Sequence, residues 1–526
     1  MFENNLLSWI IFFPVLGALV LLVLPRVRDA VIRTVGLVTT LVDFALSLVL
    51  LQRFESHAAL QFVERLPWIP AFDIEYYVGL DGISLWLVLL TTFLGPIILL
   101  STWTSIGERV REFNVFFLIL QAAMLGTFCA QDMVLFYVFW EAVLLPMALM
   151  IGIWGGKRRI YASVKFVLYT MVGSVLMLVG VLYMYQKAGS FSFAALAQTP
   201  FTIVEQAWLF GAFTLAFAIK VPVFPVHTWL PDTHVEAPTA GSVVLAGVML
   251  KMGTYGLIRL SIPFFPLAVD RFAPLLAVLA VIGIVYGALV AMVQRDVKKL
   301  VAYSSVSHLG FVVLGLFAMS AESVAGAIYV MLAHGLSTGM LFLLVGVIYE
   351  RRHTRAISDF GGLAKVMPVF SLMFMIATLA SVGLPGLSGF IGEFLVLVGS
   401  FKSLSLAGAE WFAVVAATGV ILGAVYMLWM VQRVFFGPVT HEENRGLKDM
   451  NARELVVMIP LVIMIVVMGV YPKPWLDRME PSIKAMLQIH ERRVAEYEAT
   501  VDGYDTVFRD PAETAATERG LEEVRP

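Results

Sequence analysis

The chain has 526 residues, of which 60% are hydrophobic and only 14% charged, with a formal net charge of −2. A soluble domain carries about 25% charged residues, so the polar surface of a soluble protein is missing and lipid is the solvent for much of the chain. The charge balance offers no footprint for nucleic acid, and a single cysteine, Cys129, excludes an internal disulfide and a thiolate metal cluster.

A helix needs roughly 20 apolar residues to cross a bilayer. Apolar runs of that length predict an all-α polytopic membrane protein of about fourteen spans, near 4–24, 31–51, 80–101, 113–130, 132–153, 161–185, 208–227, 236–260, 273–293, 301–320, 323–349, 367–400, 409–435 and 453–471. The first run, Leu6 to Leu24, lacks the basic start and the small-residue cleavage site of a signal peptide, so it reads as a span. Basic clusters then orient the chain: Arg26, Arg28 and Arg33 follow the first span, Lys157 to Arg159 the fifth, Arg295, Lys298 and Lys299 the ninth, and Arg351, Arg352, Arg355 and Lys365 the eleventh. All follow odd-numbered spans, so these run inward and both termini are expected outside, on the periplasmic side of a bacterial inner membrane. The connection from Gln52 to Tyr77 is acidic and reads as an outer loop.

Two spans are interrupted. Lys220-Val-Pro-Val-Phe-Pro225 breaks the seventh and Gly383-Leu-Pro-Gly-Leu-Ser-Gly389 the twelfth, both near mid-depth. Backbone freed there cannot face lipid and must be buried in protein or line a polar cavity. Paired breaks suggest two inverted five-helix repeats, helices 4–8 and 9–13, with a site near the midplane. The expected divisions are 1–112 for helices 1–3, 113–260 and 261–435 for the two repeats, and 436–526 for helix 14 and a charged tail. Within that tail Ile483 to Glu498 reads as an amphipathic surface helix, and residues beyond Asp502 as extended or held by a neighbouring chain.

Six ionisable residues fall deep inside predicted spans: Glu141, Lys220, Lys251, His308, His334 and Glu393. Each charge costs roughly 2.5–3.5 kcal/mol at the bilayer centre, so all must face the bundle interior and one another. Structural ion pairs explain any one of them more readily than the whole set. Burial disfavours charge on such groups and a close opposite charge favours it, so a lysine beside a movable glutamate can change protonation between states, and histidine titrates near neutrality unaided. The set therefore suits proton movement. Carboxylate clusters for a metal ion are sparse. Tyr303, Ser304, Ser305 and Ser307 fit either water-holding beside His308 or interhelical hydrogen bonding. Lys165 fits snorkelling as well as function. His227, Asp232, His234 and Glu236 fit either a proton entrance or caps for the eighth helix, and Asp132 a cap for the fifth. Zincin, phosphate-loop, dinucleotide and nucleophile-elbow motifs are absent, so the chain is expected to bind neither NADH nor ATP.

Phe139-Trp-Glu-Ala-Val-Leu-Leu-Pro146 and Tyr161-Ala-Ser-Val-Lys-Phe-Val-Leu-Tyr-Thr170 resemble helices 5 and 6 of the antiporter-like subunits of respiratory complex I. The run from Lys220 through His227-Thr-Trp-Leu-Pro-Asp-Thr-His-Val-Glu-Ala-Pro238 to Gly241 is the most specific match, and Arg295 to Gly310 and Gly383 to Phe394 extend it, so that residues 75 to 435 are covered. The resemblance implies a proton-translocating subunit of an NADH:quinone oxidoreductase that performs no redox catalysis itself and binds no cofactor, with flavin, iron–sulfur clusters and quinone in partner subunits. It implies L-like and N-like antiporter-related chains on either side, since Glu393 stands where those branches carry lysine. Glu141 and Lys220 match the family's helix-5 and helix-7 pair, Lys251 its central lysine, His334 its linking histidine and Glu393 its terminal site; His308 fits the helix-10 position less closely. The long tail departs from the family pattern. A multi-chain cation/proton antiporter subunit without redox coupling shares most of these motifs, and a purely structural spacer is the remaining alternative.

Overall fold

The computed structural model describes residues 5–25 and 27–501, without the side chains of 498–501. Its helices are α1 (Leu6–Val23), α2 (Asp29–Arg53), α3 (Ser84–Ser101), α4 (Val110–Cys129), α5 (Met133–Trp154), α6 (Arg159–Ala188), α7 (Ile203–Lys220), α8 (Trp229–Glu236), α9 (Thr239–Phe264), α10 (Pro266–Met292), α11 (Val297–Phe317), α12 (Ala321–Arg352), α13 (Pro368–Ser381), α14 (Ser388–Phe401), α15 (Ala409–Phe435), α16 (Ala452–Val470) and α17 (Lys473–Val501). Thirteen of the helices in the described residues are long and apolar enough to cross a membrane. The span over 367–400 is divided at the expected break into two shorter apolar helices, α13 and α14, neither long enough to cross alone, so the count of full-length spans is thirteen rather than fourteen. The chain turns sharply between them because Gly383 (φ +74°) and Gly386 (φ +90°) take the left-handed backbone that a side chain resists.

The membrane reverses the usual amphipathic logic. On α6 the large apolar residues Val164, Leu168, Val172, Val175, Val179 and Leu182 recur every three or four positions and are exposed, an apolar outer face suited to lipid or a neighbouring apolar helix. The centre of the bundle is α12, all of whose apolar window is buried. Helix ends are closed locally: Asp132 accepts from Val134 N and Leu135 N at the start of α5, as expected, and capping boxes start α7 (Thr202 and Glu205), α12 (Ser320 and Ser323) and α16 (Asn451 and Glu454).

The acidic connection before α3 is not a plain loop. It forms an antiparallel hairpin, β1 (Gln61–Ile69) and β2 (Ile74–Leu80), turning at Asp73 with φ +54°. Buried Glu64 on β1 accepts from Leu7 N at 2.7 Å and Ser8 N at 3.1 Å, so the hairpin satisfies orphan donors at the start of α1. The expected amphipathic helix near the C-terminus is longer than the predicted 483–498. Trp475, Met479, Ile483, Leu487 and His490 form its buried stripe at helical spacing. Ser482 Oγ accepts from Gly82 N at 3.0 Å, His490 Nε2 lies 2.8 Å from Asp270 Oδ1, and Arg493 Nη1 donates to Pro263 O at 2.8 Å, so α17 ties the ends of α3, α9 and α10 together. The expectation for residues beyond Asp502 lies outside the described residues.

Candidate functional site

Lys220 is the last residue of α7. The chain leaves helical geometry for residues 221–228 and re-enters at α8, so the predicted break is real. One freed carbonyl, Ile219 O, accepts from the Trp229 indole at 2.8 Å, which keeps the break satisfied inside protein. The Lys220 ammonium is buried, 5.2 Å from the centre of the Trp140 ring and 5.6 Å from that of Phe166. Aromatic faces partly compensate a desolvated cation. Glu141, half-buried on α5, acts on Lys220 electrostatically but makes no ion-pair contact with it. The predicted pair is therefore adjacent but open.

Lys251 sits in α9, which widens into π-helical turns at Leu245–Met249 and Leu257–Ser261 on either side of it. Such turns release backbone groups from the i→i−4 ladder and concentrate at functional sites. Here the Lys251 ammonium donates to Ala246 O inside the first widened turn and lies 2.8 Å from His334 Nδ1 on α12. His334 Nε2 has no hydrogen-bond partner among the described residues. The His334 and His308 rings are 5.8 Å apart, centre to centre. His308 on α11 then places Nδ1 2.9 Å from Glu393 Oε1 on α14 and Nε2 3.2 Å from Ser381 Oγ at the end of α13. A cavity of about 10 Å³ touches His308, His334, Ser337, Ser381 and Glu393, about the room of one water. All four titratable side chains are buried. The second series thus runs Lys251, His334, His308, Glu393, with His308, the least secure match by resemblance, joining the other two.

The first and second groups meet through backbone. A Cβ on Gly253 would lie 2.9 Å from Phe217 O and 3.0 Å from Lys220 Cβ, so only glycine lets α9 pass this close to the end of α7.

The lower-ranked polar residues divide differently from expectation. The Lys165 ammonium pairs with Asp232 at 2.7 Å, and both side chains stay partly exposed. His234 is fully buried and stacks on Phe342 at 4.6 Å, with neither ring nitrogen hydrogen-bonded among the described residues. His227 packs between Phe224 and Tyr286. Glu236 accepts from Arg158 N at 2.8 Å. None of these residues caps α9, which follows Pro238 with no side-chain cap. Ser304 and Ser305 bond to Val301 O within α11, and Ser307 bonds to Ile284 O at 2.9 Å, which ties α11 to α10.

Four polar features escaped the sequence reading. Ser381 contacts His308 and carried no signal beyond its place before the glycine break. Lys298, counted only as one of a basic cluster, is buried and donates to Ala237 O at 2.6 Å. Asp43 is fully buried in α2 and accepts from Gln121 Nε2 at 2.6 Å; a carboxylate within an apolar run was a visible signal. Asp81 pairs with Arg259 at 2.6 Å: burial pushes its carboxyl up, but the guanidinium outweighs this and holds it below the usual carboxylate range.

This fold, with broken helices around a file of buried titratable side chains, defines a polytopic membrane protein of the antiporter-like class. The family model described as NADH:quinone oxidoreductase/Mrp antiporter, transmembrane, matches residues 130–428. The chain is 48% identical to NADH-quinone oxidoreductase subunit M of Rhodobacter capsulatus, over 92% of this chain and 97% of that one. It is 46% identical to NADH-ubiquinone oxidoreductase chain 4 of Arabidopsis thaliana, again over 92% and 97%. A chain of the respiratory complex I of Thermus thermophilus, solved with bound NADH, superposes with a TM-score of 0.84 at 34% identity, covering 92% of this chain and 99% of that one. A chain of the Mrp complex of Dietzia gives 0.81 at 20% identity, covering 93% and 99%, a likeness of fold alone. The chain belongs to the subunit M (chain 4) family of antiporter-like membrane subunits of NADH:quinone oxidoreductase.

Proposed function

We propose that this chain translocates protons across the membrane as an antiporter-like subunit of an NADH:quinone oxidoreductase, while flavin, iron–sulfur clusters and quinone carry the electron chemistry in other subunits. The carrying observation is a pair of buried contacts at hydrogen-bond distance, Lys251–His334 between α9 and α12 and His308–Glu393 between α11 and α14, with the two histidine rings 5.8 Å apart between them. In this reading Lys220 alternates between its aromatic cage and Glu141, and the change of charge at that end drives a proton along the series. Against roughly 150 mV the electrical work is about 3.5 kcal/mol per proton, which a protonation equilibrium swung by about three pKa units supplies.

Several finer statements belong to the same proposal. Helices α13 and α14 act together as the broken twelfth span, equivalent to the broken α7–α8 in an inverted repeat, which groups residues 113–260 and 261–435 as two units. Basic clusters after odd-numbered spans put both termini on the outer face of a bacterial inner membrane. An L-like and an N-like chain flank this one in the assembled complex. An antiporter subunit without redox coupling shares the fold and the family model but not the high identity to subunit M and chain 4; sodium-dependent proton exchange would favour that reading. The test is the proton-to-electron ratio of the intact complex in vesicles. Glu141→Gln and Lys220→Ala are each expected to remove most coupled pumping, and a normal ratio in either variant overturns the assignment.

A further inference from the structure

A groove of about 330 Å³ lies between α2, α3, α12 and α16, on the opposite side of α12 from His308 and Glu393. Its walls are almost wholly apolar and include Phe44 and Leu48 on α2, Leu90 on α3, Leu336 on α12 and Trp475 at the start of α17. Leu48 is exposed, as are Val38, Leu41 and Val42 on the same helix, so the α2 rim faces the acyl chains of the bilayer. Near the first turns of α17 the groove meets a single charge, Arg478. Its Nη1 donates to Pro474 O at 3.0 Å, its Nε is buried with no partner, and no carboxylate pairs with it among the described residues.

These features call for one kind of occupant. Unfilled space between apolar side chains forfeits dispersion contacts, and at this depth acyl chains are the apolar material at hand. A guanidinium at the end of such a slot asks for an anion with paired oxygens, which a phosphodiester offers. An apolar helix of a neighbouring subunit would fill the slot but leave Arg478 without an anion. We propose that an anionic phospholipid occupies this groove, with one acyl chain along Leu90 and Leu336 and its phosphate on Arg478. Leu332 and Leu336 share one face of α12 and His334 points from the opposite one. The bound chain is therefore part of the dry wall behind the Lys251–His334 contact.

The test is photolabelling of the intact purified complex in nanodiscs, using phosphatidylglycerol or phosphatidylcholine with a diazirine in the acyl chain, followed by peptide mass spectrometry. Peptides carrying Leu90 and Leu336 should label above the outer face of α6, with phosphatidylglycerol preferred there. Leu336→Trp, which fills the groove, should drop this labelling to the α6 level. Arg478→Ala should reduce the preference for the anionic lipid by about fivefold or more, the loss of a charge-assisted contact, while α6 labelling stays unchanged. If Leu336→Trp blocks assembly, Leu48→Trp at the rim makes the same measurement. Labelling no stronger than α6, as when a protein segment fills the slot, or labelling indifferent to the filling substitutions, overturns the proposal.

Discussion

The two groups of buried charges are built on different principles. At the end of α7, Lys220 stands apart from Glu141 in an aromatic cage beside a helix break. In the second group, Lys251 and His334, and then His308 and Glu393, are already at 2.8–2.9 Å. A separated pair stores two arrangements that differ by one side-chain movement, whereas a contact series can pass a proton with little movement. Under the proposed function, this contrast fits switching at the first group and conduction along the second.

That contrast can be broken experimentally. The largest effect is expected from removing the switch: Lys220→Ala or Glu141→Gln should abolish most proton pumping measured as acidification per NADH oxidised. Next comes Lys251→Met, which takes away the head of the conducting series; pumping should fall about as far, and retention of more than half of it would falsify a continuous path through His334. His308→Phe should interrupt the series between His334 and Glu393, whereas His308→Gln, which keeps a polar contact, should still conduct poorly because glutamine cannot carry the proton. Equal activity of His308→Phe and wild type would reduce that histidine to a packing role. Smaller again is Ser381→Ala, which removes one hydrogen bond worth about 1 kcal/mol; a change in pumping rate of no more than about fivefold is expected, with assembly intact. Trp229→Phe sharpens the comparison from the other side. It leaves Ile219 O unsatisfied at a cost of about 1–3 kcal/mol, so lower yields of assembled complex should accompany an effect confined to the first group.

Much of this was legible in the sequence, for a reason particular to membranes. Each span must be a long apolar run, each buried charge is conspicuous against it, and each break is marked by proline and glycine, so the spans, the breaks at 220–225 and 383–389 and all six candidate residues could be read by eye. The hairpin at 61–80 was not, because its acids and its prolines, Pro67 and Pro70, read as an outer loop. Lys165 was left open between two readings because its partner Asp232 lies 67 positions away. Asp43 was overlooked although its setting was visible.

What the sequence determined by itself is therefore the solvent of the protein, the number of crossings to within one, and the identity of the titratable groups, since all three follow from transfer free energies that add along the chain. Only the tertiary structure decided who touches whom. It left Lys220 and Glu141 apart, put His308 between His334 and Glu393, sent the neighbouring serines to backbone carbonyls, and opened an apolar slot ending on Arg478. Those outcomes depend on how helices distant in sequence rotate and approach, down to the glycine that lets α9 pass α7 at Lys220, and no property that adds along the chain carries that information.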